Sequence, residues 1–454
     1  MIYDYTFCAV RPRHCGVWMA GAKATRGRTL VEKIAAKASG QEDARAGDLV
    51  TAEVDLCFAH DSSGPRRWAP MLAEIGRGLW DPSKVVIASD HYVPAVDAES
   101  AAILSLTRQF AAEHGVGRFY DMEGIGHMLL AERGLVRPGM LVAGGDSHTP
   151  MAGAFGAYAA GYGATDMAAI AATGRTWLEV PATIRVEWRG ALADGVTAKD
   201  VMLFLCRELG MDNAFRAVEF AGPMVEAMSM PERLVLTNMA AELGAETGIV
   251  APDATTFAWL REVGAPVEDE AAARAWTSDP DADYGALHRF DAGALEPMIA
   301  LPHSPANSVS VAGAAGRRID QAYVGACVGA KLEDLQMASR VLVGQRIAPG
   351  VRLLVAPASS QVTEAAARDG TLACLMAAGA TLMPSGCGAC AGMGAGLLAD
   401  GEACISTTNR NFKGRMGHAG AEVYLGSPYS VAAAAIAGRI IDPRGYLGQR
   451  RATA

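Results

Sequence analysis

The sequence predicts an α/β protein with largely parallel sheets, and three observations predict it. Short apolar runs recur, each followed by a Gly-rich turn and then a helical pattern. Val85-Val-Ile-Ala-Ser-Asp-His is one such run, and Met140-Leu-Val-Ala-Gly-Gly-Asp-Ser-His is a second. Arg352-Leu-Leu-Val-Ala-Pro-Ala, leading into Val362 to Asp369, is a third. Strands that alternate with helices point to parallel sheets. The length, 454 residues, suggests about three domains at roughly 150 residues each. The chain also holds 51 Gly and 21 Pro, modestly above average usage, so many tight turns are expected.

Taken in order, a first α/β unit runs to about Ala182. A second spans the middle, with a helical stretch from Pro231 to Glu242 and an acidic, Ala-rich stretch from Glu268 to Asp283. A Pro-rich turn, Leu301-Pro-His-Ser-Pro, precedes the third, Cys-rich unit. The expected boundaries are 1–182, 183–308 and 309–454. In such sheets ligands meet the loops at the carboxyl ends of strands, which is where Asp90, His91, Asp146, Ser147 and His148 fall.

Composition narrows the function. Forty basic and 49 acidic residues give a formal charge of −9, which argues against nucleic acid or an anionic membrane as the main partner. With 51% hydrophobic and 20% charged residues, disorder is excluded for most of the chain. No stretch reads as a membrane span. Ala154 to Ala172 contains Asp166, and Val431 to Ile441 is short of the ~20 residues a span needs. The N-terminus has no apolar run of signal-peptide length, so the expected location is the cytoplasm. Nine cysteines without a signal make a disulfide framework an unfavoured reading.

Cys8, Cys15, Cys57 and Cys206 are scattered, whereas Cys327, Cys374, Cys387, Cys390 and Cys404 crowd the last third. Cys387 and Cys390 form a C-x-x-C pair among glycines, a spacing that lets two thiolates face one metal centre. Cys327 sits in a Gly-flanked turn after an apolar run. The spacing alone equally fits a redox pair or half of a structural zinc site. Cys404 or Cys374 can complete a four-Cys site. A three-Cys site leaves one iron of a [4Fe–4S] cluster open, which suits Lewis-acid chemistry better than electron transfer.

Other constellations carry polar groups. Gly144-Gly-Asp-Ser-His-Thr follows a strand-like run, and there Asp146 and His148 can orient each other while Ser147 bonds an anion; a helix N-cap is the competing role. Asp90-His91 and Gly124-Ile-Gly-His127 are similar turns. Asn409-Arg-Asn-Phe-Lys-Gly-Arg415 places two arginines in one polar loop. Arg matches carboxylates with paired N–H bonds, so the loop can hold a di- or tricarboxylate, or it is simply solvated.

Taken together, the order Asp-His, Gly-x-Gly-His, Gly-Asp-Ser-His-Thr, Asn-Met-x-x-Glu, Cys, Cys-Gly-x-Cys-x-Gly and Asn-Arg-Asn-Phe-x-Gly-Arg resembles the aconitase superfamily. Within it, the pattern is most similar to large subunits of the 3-isopropylmalate dehydratase and homoaconitase type, from about residue 25 to Ile440-Ile-Asp-Pro-Arg. Pro302-His-Ser-Pro and Val250-Ala-Pro-Asp-Ala-Thr-Thr-Phe fit as well. The resemblance implies three α/β/α domains around a [4Fe–4S] cluster held by Cys327, Cys387 and Cys390, with Asn238 and Asn409 bonding to sulfur. It implies the pairs Asp90–His91, Asp146–His127 and Glu242–His148, a substrate site lined by His60 and Ser147, and carboxylate binding by Arg410 and Arg415. The implied activity is dehydration and rehydration of a small hydroxy di- or tricarboxylic acid, 3-isopropylmalate first. Homoaconitate, maleate or another substituted malate is the alternative. The fourth, swivelling domain and its Gly-Ser-Ser-Arg loop are not found here, which implies a separate small subunit. One departure stands out. The family's Ser-Cys-Thr-Asn turn reads Ala326-Cys327-Val328-Gly329, and the Tyr3 to Trp18 segment also lacks the usual pattern. A non-catalytic iron–sulfur sensor or scaffold is the reading from another class. The acidic charge and the retained Asp-His pairs count against it.

Overall fold

A computed structural model describes residues 26–447; Cys8, Cys15 and the segment Tyr3 to Trp18 lie outside the described residues. The first sheet has five parallel strands. In spatial order they are Arg118–Asp121, Val85–Ser89, Leu56–His60, Leu141–Gly144 and Tyr158–Gly161. The chain builds outward from Leu56–His60 to one side, then returns and builds to the other. Val85–Ser89 and Leu56–His60 are buried throughout, as expected for parallel strands covered on both faces. Where the direction of winding reverses, the loops part and leave a crevice at the strand ends. His60, Asp90 and Asp146 stand around that crevice. An antiparallel ribbon, Leu49–Glu53 with Arg175–Glu179, flanks this sheet.

A second sheet is four-stranded and parallel: Thr247–Ile249, Arg216–Ala221, Ala182–Arg189 and Ala286–Asp291. The helical stretch expected from Pro231 is the helix Met230–Asn238, started by the Ser229 cap and Pro231 in its first turn, where a missing N–H costs nothing. It tightens into a 3₁₀ turn, Met239–Ala241, which delivers Asn238 and Glu242 to the centre of the molecule. The Glu268 to Asp283 stretch is helical only over Glu270–Arg274. Beyond it, Ser278 and Asp279 accept the N–H groups of Leu30 and Arg28 at 2.7 Å each, and so tie the first unit to the second.

The third sheet has seven strands, in the order Ser308–Ser310, Met298–Ala300, Glu422–Leu425, Ala403–Ser406, Gln321–Val324, Arg352–Val355 and Thr381–Leu382. The Pro-rich turn at Leu301 joins its first two, antiparallel, strands. Met298–Ala300 also pairs with Glu422–Leu425, so this sheet begins before residue 308. Its winding reverses at Gln321–Val324, and the loops after that strand and after Ala403–Ser406 face each other. One buried apolar cluster runs through all three units, from Phe58 and Phe155 through Trp188 and Phe220 to Tyr323 and Leu354. The three units are therefore fixed relative to one another by a shared core.

Candidate active site

The loops at the strand ends bring their polar residues into one buried place. Asp61, directly after the strand Leu56–His60, is fully buried. Its carboxylate accepts the backbone N–H groups of His91 at 3.0 Å and Tyr92 at 2.9 Å. That fixes the turn after Val85–Ser89. Asp90 then meets His91 Nδ1 at 2.7 Å, and its other oxygen accepts the Gly126 N–H at 2.7 Å. The Asp90 carbonyl accepts the Cys387 N–H at 2.8 Å. A Cβ at Gly386 would lie 2.7 Å from that carbonyl oxygen, so only glycine permits this contact between the first and third units.

Asp146 is shared by three imidazoles. His148 Nδ1 is 3.2 Å from its Oδ1, His127 Nε2 3.3 Å from the same atom, and His60 Nε2 3.6 Å from Oδ2. Its backbone position is set by the His148 N–H, which donates to Oδ1 at 2.7 Å. The helix-cap role is not what Asp146 and Ser147 perform, because the 3₁₀ helix Thr149–Phe155 has His148 at its cap position. Ser147 is exposed. His148 Nε2 lies 3.2 Å from Glu242 Oε1, which also accepts Arg410 Nε at 2.8 Å. Ser63 Oγ meets His60 Nε2 at 3.0 Å. His60 Nδ1 and both ring nitrogens of His127 are buried with no hydrogen-bond partner.

These contacts separate the proton affinities of the rings. Burial works against charge on His60, the neighbouring His91 adds to it, and His60 falls to about 4. Burial also opposes charge on His91, yet Asp90 outweighs it and lifts His91 to about 9. Burial lowers His127, with Asp146 only partly offsetting. For His148 burial is outweighed by Glu242 and Asp146, and its affinity rises. Burial raises the Asp146 carboxyl, but the three histidines hold it well below its ordinary value.

On the facing side, Cys327, Cys387 and Cys390 converge from two turns, and all are free thiols. Asn238 Nδ2 donates to Cys327 Sγ at 3.1 Å, Asn409 Oδ1 is 3.6 Å from the same sulfur, and the two amides bond each other at 2.6 Å. Burial raises the Cys390 thiol, and Arg415 and the Asn409 N–H lie close enough to oppose that rise; Arg415 Nε is buried without a hydrogen-bond partner. Burial raises all three thiols, and each has another of the three as a charged neighbour or lies beside a cation. Among the described residues, one set of His, Cys, Asp or Glu side chains has its donor atoms all within 4.8 Å, namely His60, Asp61, Asp90 and His91. The three cysteines are not such a set, so at least one pair of their donor atoms lies farther apart than that. Cys404 and Cys374 stay apart: Cys404 Sγ rests against the Ile405 carbonyl and Cys374 Sγ against that of Ser339.

The altered turn at Cys327 is held from outside. Thr407 Oγ1 accepts the Gly325 N–H at 2.9 Å and shares its proton between the Gly325 and Gly329 carbonyls. A Cβ at Gly329 would lie 2.2 Å from Thr407 Cβ. Lys331 Nζ pairs with Asp334 at 2.6 Å and donates to the Val328 carbonyl at 3.0 Å.

Sequence inspection missed Asp61, Ser63, Thr407 and Lys199. Asp61 ends an apolar run just as Asp90 does, which was a usable signal. Lys199 is a buried cation in the first turn of the helix Ala198–Glu208, the end where the helix dipole disfavours positive charge. That mismatch was its only local sign.

The family model for the aconitase family (aconitate hydratase) matches residues 32–438. A 3-isopropylmalate dehydratase large subunit 1 of Methanopyrus kandleri is 47% identical over 428 residues, which cover 93% of this chain and all of the relative. One from Pyrococcus furiosus is 42% identical over 92% of this chain and 98% of its own length. A probable methanogen homoaconitase large subunit of Methanothermobacter thermautotrophicus is 41% identical, covering 92% and 98%.

Proposed function

From the premise that the chain belongs to the aconitase family, we propose that it interconverts 3-isopropylmalate and 2-isopropylmalate by loss and return of water. The chain is the catalytic large subunit of a hydro-lyase of the 3-isopropylmalate dehydratase type. Cys327, Cys387 and Cys390 hold a [4Fe–4S] cluster with one iron free of protein ligands, and a small subunit closes the site. The observation that carries this reading is the meeting of three unpaired cysteines, two buried and Cys387 half-buried, with the Asp146 carboxylate and its three histidines. The donor set fits the cluster: sulfur ligands number three, amide and guanidinium donors face the sulfurs, and the fourth nearby cysteine turns away.

When bound, the cluster supplies a Lewis acid for the departing hydroxyl. His91, held charged by Asp90, donates a proton from Nε2 to that oxygen. General acid help of this kind is worth roughly 10²–10⁴ in rate. Arg410 and Arg415 hold substrate carboxylates, and Arg410 is braced in turn by Glu242. His60, kept neutral, and Ser147 line the remaining wall. Asp146 holds His148 in a fixed orientation and keeps its charge 3.3 Å from His127 Nε2, so that little reorganisation is needed as charge develops.

The test is anaerobic purification of the chain with its small subunit. Iron and acid-labile sulfide are measured, and then conversion of 2-isopropylmalate to 3-isopropylmalate. Cluster content with conversion is expected. A loaded complex that leaves this substrate unchanged but hydrates maleate or homoaconitate would replace the proposed substrate.

A further inference from the structure

We propose that Lys199 is a positioning residue of the cluster site, whose buried ammonium links the two asparagine-bearing segments and balances the charge of the Cys327 and Cys390 thiolates. This inference rests on the cluster reading above and assigns a role to a residue outside the ligand set.

Lys199 is 2% exposed. Its Nζ donates to the Thr408 carbonyl at 2.6 Å and lies 3.5 Å from Met239 Sδ. Thr408 immediately precedes Asn409, and Met239 immediately follows Asn238. These are the two amides that meet at Cys327. The ammonium therefore touches the backbone that precedes Asn409 and the side chain of the residue that follows Asn238, the two segments that place both amides on the sulfur.

Its charge is the second half of the argument. A buried ammonium normally sits against a carboxylate, because an unpaired one costs several kcal/mol. Among the described residues no carboxylate lies within 4.0 Å of Lys199 Nζ. Glu242 is its strongest charged neighbour, but that carboxylate is already engaged by His148 and Arg410. Cys206, Cys390 and Cys327 are its remaining negative neighbours. Cys206 stays a buried thiol, raised far above its ordinary value by burial. Cys327 and Cys390 are left, and both become thiolates when they bind iron. The helix dipole opposes the cation as well, since Lys199 stands in the first turn after the Thr197 cap. The group is thus poorly compensated in the metal-free chain and well compensated once thiolates form beside it.

The experiment compares the full chain with Lys199→Met and Lys199→Gln, each measured metal-free and after anaerobic cluster reconstitution. Two quantities are read, the reduction midpoint of the cluster by electron paramagnetic resonance and the urea midpoint of unfolding. Loss of the cation is expected to move the reduction midpoint to more negative potential in both variants. The urea midpoint should fall more in the loaded chain than in the metal-free one, because only the loaded chain uses the charge. Lys199→Gln retains a donor for the Thr408 carbonyl and keeps the test open if Lys199→Met does not fold. Equal urea losses in both states, with an unchanged reduction midpoint, would overturn the inference and leave the cluster reading intact. A wild-type chain that takes up no cluster would remove both.

Discussion

The imidazole of His91 lies flat on that of His60, with ring centroids 3.9 Å apart and planes 12° from parallel. Two imidazolium rings at that separation would repel, so the stack requires one neutral member. The surroundings choose which. Asp90 lifts His91 to about 9, while burial and the His91 charge drop His60 to about 4. Over the range between, a proton donor rests on a neutral ring, a separation of affinities that lets a site assign acid and neutral roles to like residues.

Asp90→Asn should collapse that separation. Without the carboxylate, burial dominates and His91 becomes neutral near pH 7. The alkaline limb of kcat/KM should move down from about 9, and the rate at neutral pH should fall by roughly 10²–10⁴. The stability sign follows from linkage. His91 has a folded affinity above its ordinary 6.5, so its contribution is complete below 6.5 and is lost as pH rises through about 9. The variant should therefore trail wild type most at pH near and below 6.5, and the gap should close as pH rises from there to about 9. Thermal melts across pH test this; a gap that does not change with pH would rule out the pair as its source.

Ligand assignment is separable from general damage to the thiols. Cys387→Ser should abolish iron uptake, because Cys387 faces Cys390, Cys327 and Asp90 in the shared site. Cys404→Ser should leave it, since Cys404 rests on its own strand against the Ile405 carbonyl. Iron and sulfide per chain after anaerobic reconstitution are the readout. Equal loss in both variants would move the third or a fourth ligand to Cys404.

Local patterns carried much of this site. Asp90, His91, Asp146 and His148 each follow an apolar run through a short turn, so a strand-end reading places them without knowledge of the fold. Cys387 and Cys390 are neighbours in sequence. What depends on distant contacts was not legible. Lys199 meets Thr408 only because a helix of the second unit packs on a loop of the third. Thr407 reaches Gly325 and Gly329 across adjacent parallel strands. Met298–Ala300 joins the third sheet by pairing with a strand far along the chain. Such partners are set by which strands lie side by side, and local periodicity carries no record of that.

Glu242→Gln should separate catalysis from binding. One oxygen of Glu242 serves both His148 at 3.2 Å and Arg410 at 2.8 Å. Glutamine keeps an acceptor there but removes the charge that raises His148. The expected result is a fall in kcat of about 10²-fold with a smaller change in KM. Arg410→Lys should do the reverse and chiefly raise KM, because lysine lacks the planar fork that grips a carboxylate. Glu242→Gln should also cost about 3 kcal/mol, the low end for breaking a buried pair, since the Arg410 side chain keeps 20% exposure. Steady-state kinetics on both variants would expose the error if KM, not kcat, carried the Glu242→Gln effect.

Thr407→Val tests how the altered cysteine turn is held. The hydroxyl accepts the buried Gly325 N–H and donates to the Gly325 and Gly329 carbonyls on either side of Cys327. Valine matches the shape of threonine, so packing is retained and only the hydroxyl is lost. The Gly325 N–H is then buried without a partner, which costs about 1–3 kcal/mol. The turn also carries strain of its own: Ala326 has φ of 73°, a left-handed conformation that costs a non-glycine residue about 1–2 kcal/mol. A turn both strained and unpinned should reposition Cys327. The loaded Thr407→Val chain should therefore lose iron in air several-fold faster than wild type, while Thr407→Ser, which keeps the hydroxyl, should lose it at nearly the wild-type rate. Bleaching of the cluster absorbance gives both rates. If valine and serine variants bleach alike, the turn is held by Lys331 and by chain connectivity rather than by Thr407.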